Sequence, residues 1–183
     1  MRILVNSFDI RGYVNRISEE ISKNYLQKDI PIVLLGVLNG SVIFLSDLCR
    51  ALSNRGFTNI ELQFIKITTY NGEVSTYSPK IESNIDLKEV LHNKFIFIVE
   101  DILDSGKTIS FLLQELSSIT CKGIDVVALV HRYSFPIKYL LKYTSIEIQN
   151  EFIIGYGMDY NGKYRELPFI GVIENENRSI TQE

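Results

Sequence analysis

Short apolar runs alternate along the chain with segments in which apolar side chains recur every three or four residues. The runs at 32–38, 95–99 and 124–130 are too short for buried helices and rich in β-forming residues, so they predict strands covered on both faces. A fourth strand is indicated by the apolar residues Ile60, Leu62, Phe64 and Ile67.

The periodic segments predict amphipathic helices at about 10–25, 41–53 and 109–116, the first with Ser7 or Asp9 as its N-cap. Strands that alternate with helices favour a three-layer α/β fold, in which a mostly parallel central sheet is flanked by helices. Length and apolar content suit one domain spanning 1–183, because 183 residues, 45% of them hydrophobic, can bury one sizeable core.

Two regions fit neither pattern. Residues 69–87 have little periodicity and many Ser, Thr and Asn, which indicates either a mobile functional loop or a disordered connector. We favour a functional lid, because the segment lies between two core strands. Residues 146–173 carry shorter apolar pieces and predict an irregular cap on the sheet.

Charge and cysteine content narrow the class of protein. A net charge of −3 provides no general field for nucleic acid or an acidic membrane surface, and no window approaches the apolar length of a membrane span. Cys49 and Cys121 lie in or beside apolar stretches, as reduced core residues do, so we expect a cytoplasmic protein.

The richest chemistry follows the strand at 95–99. Glu100 and Asp101 come at its carboxyl end, and the turn at 104–108 leads into a helix. Ligands of open α/β sheets bind at this edge, and the N–H groups of a helix start favour a phosphate. Gly106 permits close approach of the backbone.

The SGKT sequence in this turn has two other interpretations. A nucleotide-triphosphate P-loop is disfavoured, because Asp101 stands where that motif needs a glycine. An ordinary helix cap explains SGKT alone at least as well as a phosphate site does. Glu100, Asp101 and Asp104, which accompany the turn after a buried strand, favour the phosphate site over the ordinary cap.

The sequence VEDILDSGKT resembles the 5-phosphoribosyl-1-pyrophosphate (PRPP) binding motif of the type I phosphoribosyltransferases. The order of GVLNGSVIF, TTY and EFIIGYGMDYNGKYRELPFIGVI is similar to that of the hypoxanthine-guanine phosphoribosyltransferases, over nearly the whole chain. The resemblance implies a core at about 25–145, a small hood from about 1–10 and 146–183, and a mobile loop at about 69–87.

The resemblance also implies the chemistry. Such enzymes transfer the phosphoribosyl group from PRPP to N9 of a 6-oxopurine and release pyrophosphate, with Mg²⁺ neutralising charge on the leaving group. Asp104 matches the general acid or base, while Thr69 and Tyr70 match the pair at the closing lid. Glu100, Asp101 and Asp159 match metal or ribose positions.

Further substrate contacts follow from the same match. Arg165 matches a pyrophosphate contact, Phe152 the aromatic that stacks on the purine, and Ile153 the residue whose backbone meets the base edge. The family carries a non-proline cis peptide at the position of Leu38 and Asn39. The remaining substrate-binding positions implied by the motifs are Gly40, Ile102, Leu103, Ser105, Gly106, Lys107 and Thr108.

One departure bears on substrate choice. His131 stands where mammalian members have a lysine that donates to the 6-oxo group, so the preference among hypoxanthine, guanine and xanthine stays open. A PRPP-sensing, nucleic-acid-binding regulator on the same fold is the alternative of another class, disfavoured by Asp104, the purine-stacking tail and the lack of a basic appended region. The tail also disfavours an adenine or pyrimidine transferase. Relatives form homodimers or homotetramers.

Overall fold

The computed structural model describes residues 1–28, 30–70, 78–132 and 141–173. Six strands form the central sheet in the order β4-β3-β2-β5-β6-β7. All neighbouring strands are parallel except β4, which runs antiparallel to β3. Their bounds are β2 Ile32–Leu38, β3 Ile60–Tyr70, β4 Ser78–Glu82, β5 Phe95–Leu103, β6 Gly123–Arg132 and β7 Ile146–Ile148.

Helices cover both faces of this sheet, which confirms the three-layer α/β prediction. They are α1 Ser7–Tyr25, α2 Val42–Ser53, α3 Leu87–Leu91 and α4 Lys107–Leu116. Alternate residues of β2 face opposite layers, because successive side chains of a strand point to opposite sides. Leu34 packs with α1 and α2 residues such as Ile17 and Phe44, whereas Leu35 packs with Leu112 of α4.

The N-cap of α1 is Asn6, one residue before the earlier of the two predicted candidates. Its side-chain oxygen accepts hydrogen bonds from the backbone N–H groups of Phe8 at 2.9 Å and Asp9 at 3.0 Å. Asp9 instead lies in the first helical turn, where its carboxylate accepts a hydrogen bond from the Asn6 amide. The cap prediction was therefore wrong, although the helix itself was predicted correctly.

A second, smaller sheet pairs the N-terminal strand with the C-terminal region. Its order is β1-β9-β8, all antiparallel, with β1 at Arg2–Val5, β8 at Ile153–Ile154 and β9 at Ile170–Val172. Strand β7 lies in the region expected to form a cap, yet it pairs with β6 and extends the central sheet.

The segment at 69–87 is more regular than its composition suggests. Strand β3 continues to Tyr70, and β4 returns beside it, with Lys66 opposite Glu82 and Tyr70 opposite Ser78. Helix α3 then begins at Leu87, capped by the Asp86 carboxylate. Both ends of the segment therefore have regular structure that its composition did not predict, whereas the mobile functional loop stays a prediction. Residues 71–77 lie outside the described part of the chain.

A polar cluster around the buried Tyr25 lies at the end of the sheet far from the strand carboxyl ends. The Tyr25 hydroxyl donates to Oδ2 of Asp125 at 2.6 Å, while Lys142 Nζ donates to the same carboxylate oxygen at 2.8 Å. Burial, together with the hydrogen bond to Asp125, raises the pKa of Tyr25 to about 12. Because Tyr25 is only 5% exposed, we expect this pKa shift to make the free energy of unfolding depend on pH.

We predict that Tyr25→Phe flattens the loss of stability at alkaline pH. An unfolded tyrosine titrates near pH 10, and a folded pKa raised to about 12 gives stability that is complete below about pH 10 and lost as the pH rises through about 12. Between about pH 9.5 and pH 11.5, the free energy of unfolding of the unmodified protein should fall by about 2 kcal/mol more than that of the variant. Urea titrations at several pH values give the free energy of unfolding of both proteins. An equal fall with pH in the two proteins would contradict the prediction.

Within the described ranges, the helices are too short or too polar to cross a membrane.

Candidate active site

A cleft of about 320 Å³ lies beyond the carboxyl ends of the parallel strands. Five separate parts of the chain line it: the turn after β2, the end of β5, the turn after it, the last residue of β6, and the segment from 152 to 165. Its lining residues are Asn39, Gly40, Asp101, Ile102, Asp104, Arg132, Phe152, Ile153, Met158, Asp159 and Arg165. Open α/β sheets bind ligands at this edge.

The two adjacent acids lie within β5, not after it. Pairing with β6 continues past Val99, with Glu100 opposite Ala128 and Leu103 opposite His131, so the strand is four residues longer than its apolar run. Burial raises the pKa of Glu100 well above its usual range. Asp101 lines the cleft, and burial raises its pKa as well, although its Oδ1 accepts a hydrogen bond from the Ile102 N–H at 2.9 Å.

The turn after β5 presents polar side chains at the start of α4. Asp104 and Ser105 are exposed, and Gly106 adopts the left-handed conformation with φ of 70° at the N-cap position. Gly106 has no side chain with which to cap the helix, and the backbone N–H groups of a helix start point towards the turn that precedes it. Lys107 and Thr108 begin the helix, and Leu103 is buried in the core behind it. The geometry suits an anion.

The turn after β2 packs tightly against Asp101 and against the C-terminal segment. The peptide bond between Leu38 and Asn39 is cis, as the resemblance implied. A Cβ atom on Gly40 would overlap the Asp101 carboxylate, and one on Gly157 would overlap the Gly40 carbonyl oxygen. Two glycines therefore let three parts of the cleft meet at van der Waals contact.

The C-terminal segment brings an aromatic ring and an ion pair to the cleft. The Phe152 ring meets Tyr160 edge-on, with centroids 5.5 Å apart, and Ile153 begins β8 beside it. Arg165 forms an ion pair with Asp159 at 2.6 Å and donates to the Gly157 carbonyl at 2.6 Å. Arg165 is thereby held beside the turn that carries Gly40.

The carboxylates fit a magnesium ion that arrives with its substrate better than one held by the protein alone. Among the described residues, no group of three or more His, Cys, Asp or Glu side chains is arranged to hold a metal. Asp159 already pairs with Arg165 and accepts from the Gly162 N–H at 2.8 Å. Magnesium is commonly bound through one or two carboxylates plus substrate phosphates, and Asp101 supplies a cleft-facing oxygen ligand of this kind.

His131 is not among the residues that line the cleft, contrary to the expectation from the sequence. Its ring nitrogens lie 3.0 Å from the Thr144 hydroxyl and 3.3 Å from the Glu147 carboxylate. The next residue, Arg132, lines the cleft instead, because neighbouring residues of a strand face opposite sides. Sequence reasoning missed Arg132, because alternation along β6 puts His131 and Arg132 on opposite faces but does not say which of the two lines the cleft.

The two residues expected at the lid end β3. The backbones of Thr69 and Tyr70 pair with Pro79 and Ser78 of β4, and their side chains lie outside the described structure.

Comparison with known proteins places this arrangement in a family. The sequence model of the phosphoribosyl transferase domain family matches residues 9–161. The chain is 33% identical to the hypoxanthine-guanine phosphoribosyltransferase of Dictyostelium discoideum over 176 residues, which cover 95% of this chain and 96% of the relative. It is also 33% identical to the hypoxanthine phosphoribosyltransferase of Buchnera aphidicola over 175 residues, with 94% and 96% covered.

Solved structures agree with these sequence matches. A point mutant of the Trypanosoma cruzi hypoxanthine phosphoribosyltransferase, in a ternary substrates complex, superposes with a TM-score of 0.85 at 30% identity and 96% coverage of both chains. The Staphylococcus aureus hypoxanthine phosphoribosyltransferase gives 0.84 at 29% identity, covering 98% of this chain and 94% of that one. The chain belongs to the hypoxanthine-guanine phosphoribosyltransferase family of the phosphoribosyltransferases.

Proposed function

We propose that the protein is a purine-salvage enzyme that transfers the 5-phosphoribosyl group of PRPP to N9 of a 6-oxopurine. The products are IMP or GMP, together with pyrophosphate. One observation carries the proposal: Asp104 and Phe152 line a single cleft, and Asp104 directly precedes the turn that begins α4. That cleft therefore offers a proton-transfer group, a stacking surface for a base and a place for a phosphate.

The sugar phosphate occupies the β5–α4 side of the cleft. The 5′-phosphate binds the turn 105–108, where backbone N–H groups and the hydroxyls of Ser105 and Thr108 donate to it. Asp101, with Glu100 buried behind it, holds the ribose hydroxyls. Ile102 contributes to the same wall.

Pyrophosphate lies on the opposite wall. The turn from Leu38 through Gly40 offers backbone groups, and Arg165 offers a guanidinium. Magnesium, when bound, would be held by Asp101, Glu100 and the substrate oxygens, with Asp159 nearby, and would neutralise charge on the leaving group.

The purine lies between Phe152 and the end of β6. Phe152 stacks on the ring, and the backbone of Ile153 meets the base edge. We assign recognition of the 6-oxo group to Arg132 in place of His131, because the Arg132 guanidinium lines the cleft. Arginine carries only donors, which suits a carbonyl oxygen.

The bond changes follow from this placement. The N9–C1′ bond forms as the bond from C1′ to pyrophosphate breaks, and the electron pair of that bond leaves with pyrophosphate. The base loses a proton at N7, and the Asp104 carboxylate accepts it. Thr69 and Tyr70, at the end of β3, are assigned to the exclusion of water from the reacting centre.

Turnover with separate bases tests the proposal. The protein is mixed with PRPP and hypoxanthine, guanine, xanthine, adenine or uracil, with and without Mg²⁺, and ultraviolet absorbance follows the nucleotide. We expect turnover with hypoxanthine or guanine that requires Mg²⁺. Absence of turnover with every 6-oxopurine would reject the function, and turnover with xanthine alone would make it a xanthine-preferring enzyme.

We also propose that the enzyme is a cytoplasmic homodimer or homotetramer. Leu62 and Phe64 of β3 are 41% and 36% exposed, and Ile43 of α2 is 38% exposed. Large apolar side chains exposed on adjoining elements are typical of an interface. Both cysteines are free, which suits a reducing compartment. Light scattering coupled to gel filtration measures the subunit number.

A further inference from the structure

The Arg132 side chain joins two walls of the cleft that come from distant parts of the chain. Its Nε donates to Oδ1 of Asp104 at 2.6 Å. Its Nη1 donates to the backbone carbonyls of Gln149 at 2.8 Å and Glu151 at 3.2 Å. Asp104 follows β5, whereas the two carbonyls belong to the three residues that precede Phe152. One guanidinium therefore sets the spacing between Asp104 and the stacking segment.

The exposed fractions of the two side chains indicate that Arg132 holds Asp104 in place, and not the reverse. The Asp104 side chain is 60% exposed, while that of Arg132 is 18% exposed. An exposed carboxylate after a turn has rotamer freedom that it must lose before it can meet a base. Arg132 is held at the end of β6 and by two carbonyls, so it is the fixed member of the pair.

The shape of the guanidinium makes this bridge specific to arginine. Its planar fork directs N–H groups along several fixed directions, and charge-assisted bonds to a carboxylate are short and strong. A lysine ammonium is a compact point charge that could pair with Asp104 or with a carbonyl. It lacks the reach and the rigid angles to bridge all three acceptors.

We infer that Arg132 is a positioning residue that holds the Asp104 carboxylate opposite the base while it fixes the backbone that carries Phe152. The inference rests on the phosphoribosyl transfer proposed above and adds a role for Arg132 beyond contact with the 6-oxo group. Because Oδ1 is bonded to Arg132, Oδ2 is the oxygen that accepts the N7 proton.

The first test replaces the planar guanidinium of Arg132 by an ammonium group and so retains the positive charge. We expect Arg132→Lys to lower kcat for hypoxanthine by about 10²-fold, because misplacement of a catalytic group by about 1 Å costs this much. The PRPP dissociation constant, measured by calorimetry, should stay within about 2-fold, since PRPP does not depend on the base wall. Arg132→Gln, whose amide can reach only one of the two walls, should also lose turnover.

A matched control comes from another arginine that bridges a side chain and a carbonyl. Arg55 donates to the Ser18 hydroxyl at 2.8 Å and to the Asn15 carbonyl at 3.0 Å, and it is not among the residues that line the cleft. Arg55→Lys should leave kcat unchanged. Equal kcat for Arg132→Lys and the unmodified protein would overturn the inference.

A double-mutant cycle separates positioning of Asp104 from simple packing or base contact. If Arg132 acts on kcat through Asp104, then Arg132→Lys should lower kcat by a clearly smaller factor in an Asp104→Asn background than in the unmodified protein. The part of its effect that passes through Asp104 is already lost there, and only the part through the Phe152 segment and the 6-oxo group remains. The same large factor in both backgrounds would show that Arg132 acts independently of Asp104, and the inference would fail. Inactivity of the unmodified protein would instead reject the proposed function itself.

Discussion

Replacement of Asp104 by asparagine should reduce kcat by about 10²–10⁴-fold while PRPP binding stays nearly unchanged. Asparagine has nearly the same size and can accept the Arg132 hydrogen bond, yet its amide cannot take a proton from the base. The loss therefore falls on the chemical step, not on assembly of the complex. Steady-state kinetics with hypoxanthine gives kcat, and calorimetry with PRPP gives the dissociation constant.

A carboxylate outside the cleft provides the matched comparison. Glu115 is exposed near the end of α4 and is not among the residues that line the cleft. Glu115→Gln makes the same chemical change as Asp104→Asn and should leave kcat unaltered. If Asp104→Asn retains the turnover of the unmodified protein, then Asp104 is not the group that handles the proton.

The layered fold was predictable because its signals are local. Buried parallel strands read as continuous apolar runs, and helices read as three- and four-residue spacings, so β2 was placed at its observed bounds. The hairpin of β3 and β4 was not predictable in this way. Its partners, such as Thr68 and Lys80, are polar residues whose pairing depends on the strand alongside and not on their own pattern.

The candidate site also has a part that local sequence predicts and a part that it does not. The turn 104–108 was predicted correctly in place, because a buried strand, a glycine and a helix start follow one another directly in sequence. The cleft-lining side chain at the end of β6 was not predicted. A shift of one residue along β6 exchanges His131 for Arg132 on the cleft side, and the apolar run before them does not fix which face is which.

The meeting of Gly40, Asp101 and Gly157 could not be foreseen at all, since these residues lie far apart in the chain and only the fold brings them together. Glycine is needed where two backbones, or a backbone and a short side chain, come into contact. In sequence, Gly40 is explained equally well by an ordinary strand-to-helix turn. Only the packed structure shows what a side chain there would displace.

We expect Gly40→Ala to lower kcat/KM for PRPP by more than about 10²-fold. The added methyl would overlap the Asp101 carboxylate, which is short, half-buried and bonded to the Ile102 N–H, so it has little room to swing away. Either the turn after β2 or the acid must shift. Both are proposed to hold PRPP, so KM for PRPP should rise, and calorimetry should show weakened PRPP binding.

Two further glycine variants make this expectation sharp. Gly157→Ala strikes the same contact from the other side, because its methyl would overlap the Gly40 carbonyl and its φ of 102° disfavours any side chain. It should show a similar loss of kcat/KM for PRPP.

Gly12 lies inside α1 with no atom within 4 Å of an added Cβ, so Gly12→Ala should keep full activity and gain about 0.5–1 kcal/mol of stability. Normal PRPP binding in Gly40→Ala would mean that the turn after β2 tolerates displacement and does not hold pyrophosphate.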